Sequence, residues 1–573
     1  MKENWILKDQ LKEDQKLLLQ LLSKDIPYPE PFLKILIKRG FRTTKEINEF
    51  LNPHIQNICD PLLLNGVSEG VQRIVDAIEK KEKITIYGDY DVDGITSVSM
   101  LLTGLKMLNS NVDYFIPDRM QEGYGLSPNG VKALIEKKSR VIITVDCGIN
   151  SVDEVEELNK NGIDVIVTDH HLPKEILPAA IALINPKLSS STYPNESLCG
   201  VGVAYKLLMA LFSKMDKIDL LEENDFLDFV SMGTIADIVP LTKENRAILY
   251  FGFKQMSKKN NIGISTFLQK LKIDPNRIKS TDIVFKIAPR INSTGRMANA
   301  NIAVDFLTTT KKEKASKLFE RIEGLNRQRR GIELSVYNDA CLQIEHKYSD
   351  LDKTNCIVLS NENWHPGVVG IVASKLVEKY YKPTFLFSES GGISRASCRS
   401  IPNINIIDVI NSAKEYIITF GGHKYAAGVS LLNEYLPKFE EKINKYITKN
   451  YSKDIFISKL TIESEIELED INYELLKFLK KMAPFGSGNH KPIFLTQRVQ
   501  IINYPQIVGQ NSLKIKVRKD EGSLELIGFN MMRFYSHINR NSLIDIVYSL
   551  DINVWRDRKN IQGYLKDIYV HPH

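Results

Sequence analysis

Short β-branched runs alternate with amphipathic helical stretches from residue 83 onward. Two of the helical stretches are 97–108 and 151–162. The apolar runs between them each end in polar residues, and they are 84–88, 112–116, 141–145, 164–168 and 180–184. Near-continuous apolar strands separated by helices are typical of a parallel sheet that is covered on both faces. The pattern therefore predicts an α/β fold.

The pattern changes at several points along the chain. Residues 1–80 predict helices, with a proline-containing break at 27–31. Residues 311–347 have helical periodicity without proline and predict a long connecting helix, after which a second α/β pattern begins. Beyond 484–492 the chain turns into five short strand-like segments, which favour a small β-barrel. We expect five regions: a helical segment 1–80, an α/β domain 81–310, a connecting helix 311–350, a second α/β domain 351–450, and a barrel with its lead-in 451–573.

Composition narrows the class of protein. The 573 residues are 43% hydrophobic and 25% charged, which argues against intrinsic disorder and fibrous repeats. No apolar run approaches the roughly 18 residues that span a bilayer, and the first residues lack the apolar core of a signal peptide. The six cysteines are scattered, without a C-x-x-C pair. We therefore expect a cytoplasmic protein that is not embedded in a membrane.

Charge is informative through its distribution. The net charge is only +6, but residues 491–573 contain twelve Lys and Arg against seven Asp and Glu. A local basic surplus is what a phosphate-binding surface requires, although a solvated basic domain has the same composition.

The densest chemical signal is an acidic cluster that follows the first apolar run. In ITIYGDYDVDGITS, the strand ends directly in Asp89, Asp91 and Asp93. An EF-hand loop would place a glutamate at position 100, where this chain has Met100, and would follow a helix. The alternative is a solvated acidic turn that binds no metal. Because three close carboxylates repel one another unless a cation compensates them, we favour a metal site.

Two further strands end in the same kind of residue. Asp146 follows one run, and Asp169, His170 and His171 follow the next. Asp237 comes after an apolar helix. The set is rich in oxygen and imidazole and contains no thiolate, which selects Mn²⁺ or Mg²⁺ over structural zinc. Since the carboxylates exceed the needs of one ion, the sequence favours a two-metal centre, which typically activates a water molecule and stabilises the leaving oxygen in phosphoryl chemistry.

These motifs resemble the DHH phosphoesterase superfamily, and within it the RecJ family of bacterial exonucleases that degrade single-stranded DNA 5′→3′. The matching segments are GDYDVDG, VDCG, TDHH, ADIVP, APRINSTGRM, WHPGVVGIVASKL, GGHKYAAG and PFGSGNHKPIF. The resemblance covers roughly residue 80 to the end of the chain. It implies DHH and DHHA1 domains joined by a helix, followed by an OB-type barrel.

The resemblance implies roles for the clustered residues. The implied metal ligands are Asp89, Asp91, Asp93, Asp146, His170 and Asp237, with Asp146 as the bridge between two Mn²⁺ or Mg²⁺ ions. Some relatives have histidine where this chain has Tyr87, so the first metal would depend on Asp89 here. His171 is expected to contact the scissile phosphate, and Asp169 to accept a hydrogen bond that orients the histidines.

Basic residues along the same motifs suit phosphate recognition, because the arginine fork matches phosphate geometry. The candidates are Arg119, Arg290, Arg296, Ser397, Arg399 and His423. Arg290 and Arg296 bracket INSTG, which predicts a turn, and His423 lies in GGH, which predicts a flexible loop. We expect Arg119, Ser397 and Arg399 to hold a 5′-terminal phosphate.

The barrel is expected to bind single strands through basic residues beside aromatic ones. The candidates are Lys514, Lys516, Arg518, Arg533 and Trp555. The family also implies coupling to a single-strand-binding protein and a helicase. We expect a monomer, since the sequence contains no strong heptad pattern that would pair two copies of the chain. Two rival functions remain open at this point: a phosphodiesterase of dinucleotides or short oligoribonucleotides, and a catalytically silent scaffold.

Overall fold

The chain forms two compact units in the computed structural model. One unit combines Met1–His54 with Ile457–His573, and the other is Ile55–Phe456. The structure describes residues 4–8, 11–119, 122–123, 125–221, 225–348, 350–555 and 558–571, with the side chains of all except 352, 554, 555 and 558. None of the helices in these ranges is both long and apolar enough to cross a membrane.

The N-terminal segment is not wholly helical, contrary to the sequence prediction. It begins with strand β1 (Asn4–Leu7), which pairs in parallel with Lys459–Ile462. Three helices follow: α1 (Glu13–Asp25), α2 (Glu30–Lys38) and α3 (Thr44–Leu51). Helix α3 starts at a capping box in which Thr43 and Glu46 satisfy each other's backbone N–H groups. The strand escaped prediction because its partner lies some 455 residues away.

The first lobe of the larger unit is a five-stranded parallel sheet. Its elements are α4 (Val67–Glu79), β2 (Ile84–Gly88), α5 (Val92–Met107), β3 (Val112–Phe115), α6 (Pro128–Glu136), β4 (Val141–Val145), α7 (Val152–Lys160), β5 (Asp164–Thr168) and β6 (Ala182–Ile184). The strand order is β3-β2-β4-β5-β6. Every residue of β2 and β4 is buried, as the continuous apolar runs predict.

A helical layer completes this lobe. It comprises α8 (Gly200–Lys214), α9 (Leu227–Ala236), α10 (Lys243–Lys258), α11 (Ile262–Lys270), α12 (Ser280–Asp282), a π-helical turn (Ile283–Ile287), α13 (Ala288–Met297) and α14 (Asn301–Thr308). The INSTG segment therefore lies inside helix α13, and its predicted turn is wrong. Buried Ile291 and Thr294 pack that helix into the lobe, which outweighs the turn propensity of Asn, Ser and Gly.

The long helix α15 (Lys312–Lys347) leads into the second α/β lobe. That lobe contains β7 (Ile357–Asn361), α16 (Pro366–Tyr380), β8 (Thr384–Ser390), β9 (Ile393–Arg399), α17 (Ile406–Asn411), β10 (Ile417–His423), β11 (Ala426–Leu432) and α18 (Leu436–Asn450). The sheet order is β10-β11-β9-β8-β7. The GGH motif ends strand β10, so the predicted loop at His423 is wrong; Gly421 and Gly422 pair with β11.

The C-terminal part of the smaller unit is built on a seven-stranded sheet. Strand β12 (Lys459–Ile462), the partner of β1, precedes it, and helix α19 (Tyr473–Lys481) follows its first strand. The strands of the sheet are β13 (Ser464–Glu465), β14 (Phe494–Ile501), β15 (Gln506–Val508), β16 (Ser512–Lys519), β17 (Gly522–Gly528), β18 (Leu543–Trp555) and β19 (Arg558–Val570). The five long strands pair in the order β14-β18-β19-β17-β16, and two residue pairs between β14 and β16 complete the circuit. The α/β class is confirmed, and the C-terminal strands form a barrel-like sheet whose closure rests on these two residue pairs.

Candidate metal centre and phosphate pocket

The carboxyl edge of the first-lobe sheet gathers the predicted acidic residues. All five strands run parallel, so their carboxyl ends meet at one edge, where ligands bind in open α/β sheets. Strand β2 is followed by the Asp89 cluster, β4 by Asp146 and β5 by Asp169. Three short loops therefore place carboxylates and imidazoles side by side.

Helix α5 begins within the acidic cluster. Asp91 is its N-cap, and its Oδ1 accepts hydrogen bonds from the backbone N–H groups of Asp93 (2.9 Å) and Gly94 (3.1 Å). Gly94 is required here because a Cβ would lie 2.4 Å from the carbonyl oxygen of Asp89. This close turn lets several carboxylates from one short segment face the same place.

Asp93 is held by the start of helix α8. Its two carboxylate oxygens accept hydrogen bonds from the N–H groups of Gly200 (2.6 Å) and Val201 (2.8 Å). A Cβ on Gly200 would lie 2.6 Å from the Cβ of Asp146, so glycine permits the approach of the two loops. Burial, together with the neighbouring charge of Asp91, raises the pKa of Asp93 to about 7.

His170 lies at the middle of the carboxylates. Its Nε2 is 3.0 Å from Oδ1 of Asp146 and 3.9 Å from Oδ2 of Asp93, and its Nδ1 is 3.7 Å from Oδ2 of Asp237. Burial and the nearby His171 lower the pKa of His170 to about 3. The ring is therefore neutral at pH 7 and has a lone pair to donate to a metal.

Asp169 orients the histidine pair. Its Oδ1 accepts hydrogen bonds from the N–H groups of His170 (2.7 Å) and His171 (3.1 Å) and lies 2.7 Å from Nδ1 of His171. Its Oδ2 accepts from the N–H of Ile149 at 3.0 Å. Burial alone would raise the pKa of Asp169, but the hydrogen bond and charge of His171 outweigh it and the pKa is lowered.

The donor set fits divalent cations. Three groups have ligand atoms within 4.8 Å of one another among the described residues, and they are Asp89–Asp91–Asp146, Asp93–His170–Asp237 and Asp146–His170–His171. Two buried polar atoms in the centre, Oδ1 of Asp89 and Nδ1 of His170, have no hydrogen-bond partner within the described part of the chain. Burial and neighbouring carboxylates raise the pKa values of Asp89 and Asp146. A buried cluster of this charge and these unused donor atoms suits Mn²⁺ or Mg²⁺.

Tyr87 does not contribute a side chain to the candidate metal centre. Its side chain is fully buried, its hydroxyl donates to the carbonyl of Gly125 at 3.0 Å, and its ring stacks on Phe115. Tyr87 is therefore part of the hydrophobic packing of the lobe.

Three arginines from both α/β lobes meet beside the metal centre. Arg119 follows β3 and lies over the ring of Tyr90, with its Cζ 4.9 Å from the ring centroid. Arg296, on α13, donates to the carbonyl of Gly367 at 2.9 Å. Burial, followed by the charges of Arg119, Arg329 and Arg399, lowers the pKa of Arg296 to about 9. Such mutual repulsion is relieved when an anion binds.

The second lobe supplies Ser397, Arg399 and His423 to the same place. Ser397 and Arg399 lie two residues apart on the same face of β9. A Cβ on Gly370 of α16 would lie 3.2 Å from the Ser397 hydroxyl and 3.1 Å from Nη2 of Arg399. Burial and the charges of Arg399 and His171 lower the pKa of His423. We call Arg119, Arg296, Ser397, Arg399 and His423 the phosphate pocket.

Arg290 does not join the phosphate pocket in the way expected. Its Nε donates to Glu323 at 2.5 Å and its Nη1 to the carbonyl of Lys286 at 2.6 Å. The guanidinium thus joins helix α13 to α15, which argues against a phosphate contact.

Sequence reasoning missed three residues around these sites. Tyr90 supports Arg119, Gly370 leaves space for Arg399, and Lys187 carries a charge that acts on Asp237 and both histidines. The order of residues around Tyr90 offered a signal, since it lies inside the acidic motif. Gly370 and Lys187 offered none, because their importance comes only from tertiary neighbours.

The predicted basic residues of the barrel differ in their surroundings. Lys516 and Arg518 are exposed on β16, whereas Lys514 pairs with Glu525 at 3.1 Å. Arg533 lies over the ring of Phe534 and 3.9 Å from Asp567. The side chain of Trp555 lies outside the described residues. Lys516 and Arg518 are thus the basic side chains with the most open surroundings.

Comparison with known proteins matches three family models to the chain. Residues 83–234 match the DHH family, N-terminal domain; residues 353–449 match the DHHA1 domain; residues 462–567 match the RecJ OB domain. The three matches follow the order of the two α/β lobes and the barrel.

Individual relatives match over most of their length. The single-stranded-DNA-specific exonuclease RecJ of Bacillus subtilis is 35% identical over 94% of this chain and 67% of the relative, and that of Haemophilus influenzae is 33% identical over 91% and 93%. The crystal structure of RecJ with Mn²⁺ from Thermus thermophilus is 25% identical, with a TM-score of 0.84 over 100% of this chain and 80% of that one. The acidic centre, the domain order and these relatives together show that the chain belongs to the RecJ family.

Proposed function

We propose that this protein is an exonuclease specific for single-stranded DNA that hydrolyses from the 5′ end and releases 5′-mononucleotides, in recombination and repair. The observation that carries the proposal is the phosphate pocket beside the metal centre. One site suits the terminal phosphate of a chain, and the other suits hydrolysis of the next phosphodiester. The names of the relatives support the substrate class.

The residues of the centre divide the chemistry between them. The carboxylates of Asp89, Asp91, Asp93, Asp146 and Asp237, with the neutral ring of His170, would hold Mn²⁺ or Mg²⁺. When bound, the ions activate a water molecule and neutralise charge on the scissile phosphate. His171, oriented by Asp169, faces the same space and contacts a phosphate oxygen. Water adds to phosphorus, the bond to the 3′-oxygen breaks, and that oxygen takes up a proton.

The 5′→3′ polarity of degradation is explained by the phosphate pocket. Arg119 and Arg399 hold the 5′-terminal phosphate, so the first internucleotide linkage lies at the metal centre. Cleavage of the P–O3′ bond leaves a phosphate on the 5′ end of the shortened chain. The product therefore has the terminal group that the phosphate pocket binds in the next round.

The test uses single-stranded DNA labelled at either end. We expect the 5′ label to appear at once as mononucleotide while the 3′ label stays on progressively shorter chains, with Mn²⁺ or Mg²⁺ but not with EDTA, and not on duplex DNA. Release of the 3′ label first would contradict the proposed polarity. Cleavage of dinucleotides alone would favour the small-substrate phosphodiesterase, and no cleavage of either would favour the scaffold.

The barrel gives a separate prediction about binding. Replacing Lys516 and Arg518 together by alanine should weaken binding of single-stranded DNA. The negative slope of the logarithm of the association constant against log salt should become shallower by about 1.4, because each phosphate contact contributes about −0.7 for single strands. Fluorescence anisotropy in EDTA measures binding without degradation. Lys514→Ala is the control, and it should change the slope less because Glu525 already pairs with Lys514. An unchanged slope in the double variant would contradict the assignment.

A further inference from the structure

The turn that follows β6 is tied to the catalytic histidines. Asn185 is fully buried; its Nδ2 donates to the carbonyl of His171 at 2.9 Å, and its Oδ1 accepts from the N–H of Lys187 at 2.8 Å. One asparagine side chain thus fixes the backbone of Lys187 against the backbone of His171. The function proposed above assigns no role to this segment.

The Asn185 bridge places Lys187, a basic residue, next to the histidine loop. Lys187 is half-buried, and its charge acts on His170, His171 and Asp237. Within the described part of the chain, its Nζ makes no hydrogen bond or ion pair. By contrast, the buried Nζ of Lys206 is paired with Glu244 at 2.8 Å. A half-buried ammonium group without such a partner is available to an anion.

The order of the strands places Lys187 opposite the phosphate pocket. Along the carboxyl edge, Arg119 follows β3 at one end of the sheet and Lys187 follows β6 at the other. The acidic loops after β2 and β4 and the histidines after β5 lie between them. Since adjacent strands are about 4.8 Å apart, the two cations flank the metal centre from opposite sides.

We propose that Lys187 binds the phosphodiester on the 3′ side of the scissile one, between the second and third nucleotides of the substrate. The inference rests on the proposed function, because it needs a chain that enters 5′ end first. With its terminal phosphate at Arg119 and its first linkage at the metal centre, the chain continues past β5 toward β6. The ammonium group of Lys187 meets the next phosphate there as a compact point charge.

A second role for Lys187 makes a different prediction. If Lys187 served only as a counter-charge for Asp237, its removal would slow the reaction equally whatever the charge of the second linkage. If it binds that linkage, the effects of removing the ammonium and of removing the phosphate charge must overlap. A cycle of enzyme variants and substrate modifications separates the two roles.

The experiment measures kcat/KM for release of the first nucleotide from 5′-phosphorylated single-stranded DNA with Mn²⁺. One substrate has an uncharged methylphosphonate at the second linkage, and another has it at the fifth. The enzymes are the wild type, Lys187→Met and Lys187→Arg. The control is Lys138→Met, which alters an exposed lysine before β4, at the opposite edge of the sheet.

We expect the neutral second linkage to slow the wild type and the Lys138→Met control about tenfold, as for loss of one hydrogen bond to a charged group. Compared with the wild type, Lys187→Met should be about tenfold slower on the unmodified substrate and equally fast on the substrate with the neutral second linkage. Lys187→Arg should retain most of the wild-type rate. A methylphosphonate at the fifth linkage should change kcat/KM by the same factor in the wild type and in Lys187→Met.

Two results would overturn the inference in distinguishable ways. If the two effects multiply to about a hundredfold in Lys187→Met, or if that variant is as fast as the wild type, the contact is absent although the exonuclease function stands. If the wild type releases no nucleotide from unmodified DNA, the proposed function fails and the inference fails with it.

Discussion

Replacing Asp146 by asparagine should lower kcat on single-stranded DNA by at least about 10³-fold, because a metal centre supplies several kcal/mol of stabilisation and each ~1.4 kcal/mol is tenfold in rate. Asp146 is the carboxylate common to two of the three candidate ligand groups, and His170 lies 3.0 Å from it. Asparagine keeps its size and tolerates its left-handed backbone, with a φ of 60°. The substitution also removes one charge from a repelling cluster, so the variant should fold.

Two measurements distinguish loss of chemistry from loss of fold. In EDTA the Tm of Asp146→Asn should equal or exceed that of the wild type, because buried like charges destabilise the folded state. Mn²⁺ should raise the Tm of the wild type and raise that of the variant much less, since a ligand stabilises only the state that binds it. Asp153→Asn, an exposed carboxylate on α7, is the matched control. If Asp146→Asn kept more than a tenth of the activity, Asp146 would not belong to the metal centre.

The meeting of Asp91, Asp146 and His170 was predictable because each lies just after an apolar strand. In a parallel sheet, a strand that ends in aspartate presents it at the same edge as its neighbours. Asp91, Asp146 and His170 are separated by up to 79 residues in sequence, yet the strand pattern alone brings their loops together. Local pattern and tertiary position coincide at these strand ends, so the sequence was sufficient to predict that the three loops meet.

The surroundings of single basic residues were not predictable in this way. Arg290 and Arg296 are six residues apart in one motif, but Arg290 pairs with Glu323 of α15 whereas Arg296 reaches Gly367 of α16. Which partner each meets depends on how α13 packs between the two helices. Lys187 could not be predicted for the same reason, since only the fold brings its turn to His171.

The predicted N-terminal helices and the GGH loop show a different limit. Strand β1 exists because Lys459–Ile462 offers a paired edge, and β10 exists because β11 pairs with Gly421 and Gly422. The start of β10, 417–420, has residues that favour strands, but Gly421 and Gly422 do not. Strand formation by long-range pairing is governed by the partner more than by local propensity.

Replacing Arg399 by alanine should lower kcat/KM on 5′-phosphorylated DNA by about 10²-fold, while DNA with a 5′-hydroxyl should change by less than about threefold. Truncating one member of a buried charge pair costs at least about 2–5 kcal/mol, which corresponds to this loss. Arg399 is largely buried near Arg119 and Arg296, so its removal relieves repulsion and should not lower the Tm. The variant therefore tests recognition of the terminal phosphate and not folding.

Arg395→Ala is the control for Arg399→Ala, because Arg395 lies on the same face of β9, four residues earlier, and is exposed. It should leave the preference for a 5′-phosphate unchanged. If Arg399→Ala slowed both substrates equally, the arginine would act on the scissile phosphate instead of the terminal one. If it slowed neither, the phosphate pocket would have to bind its anion without Arg399, through Arg119, Arg296, Ser397 and His423.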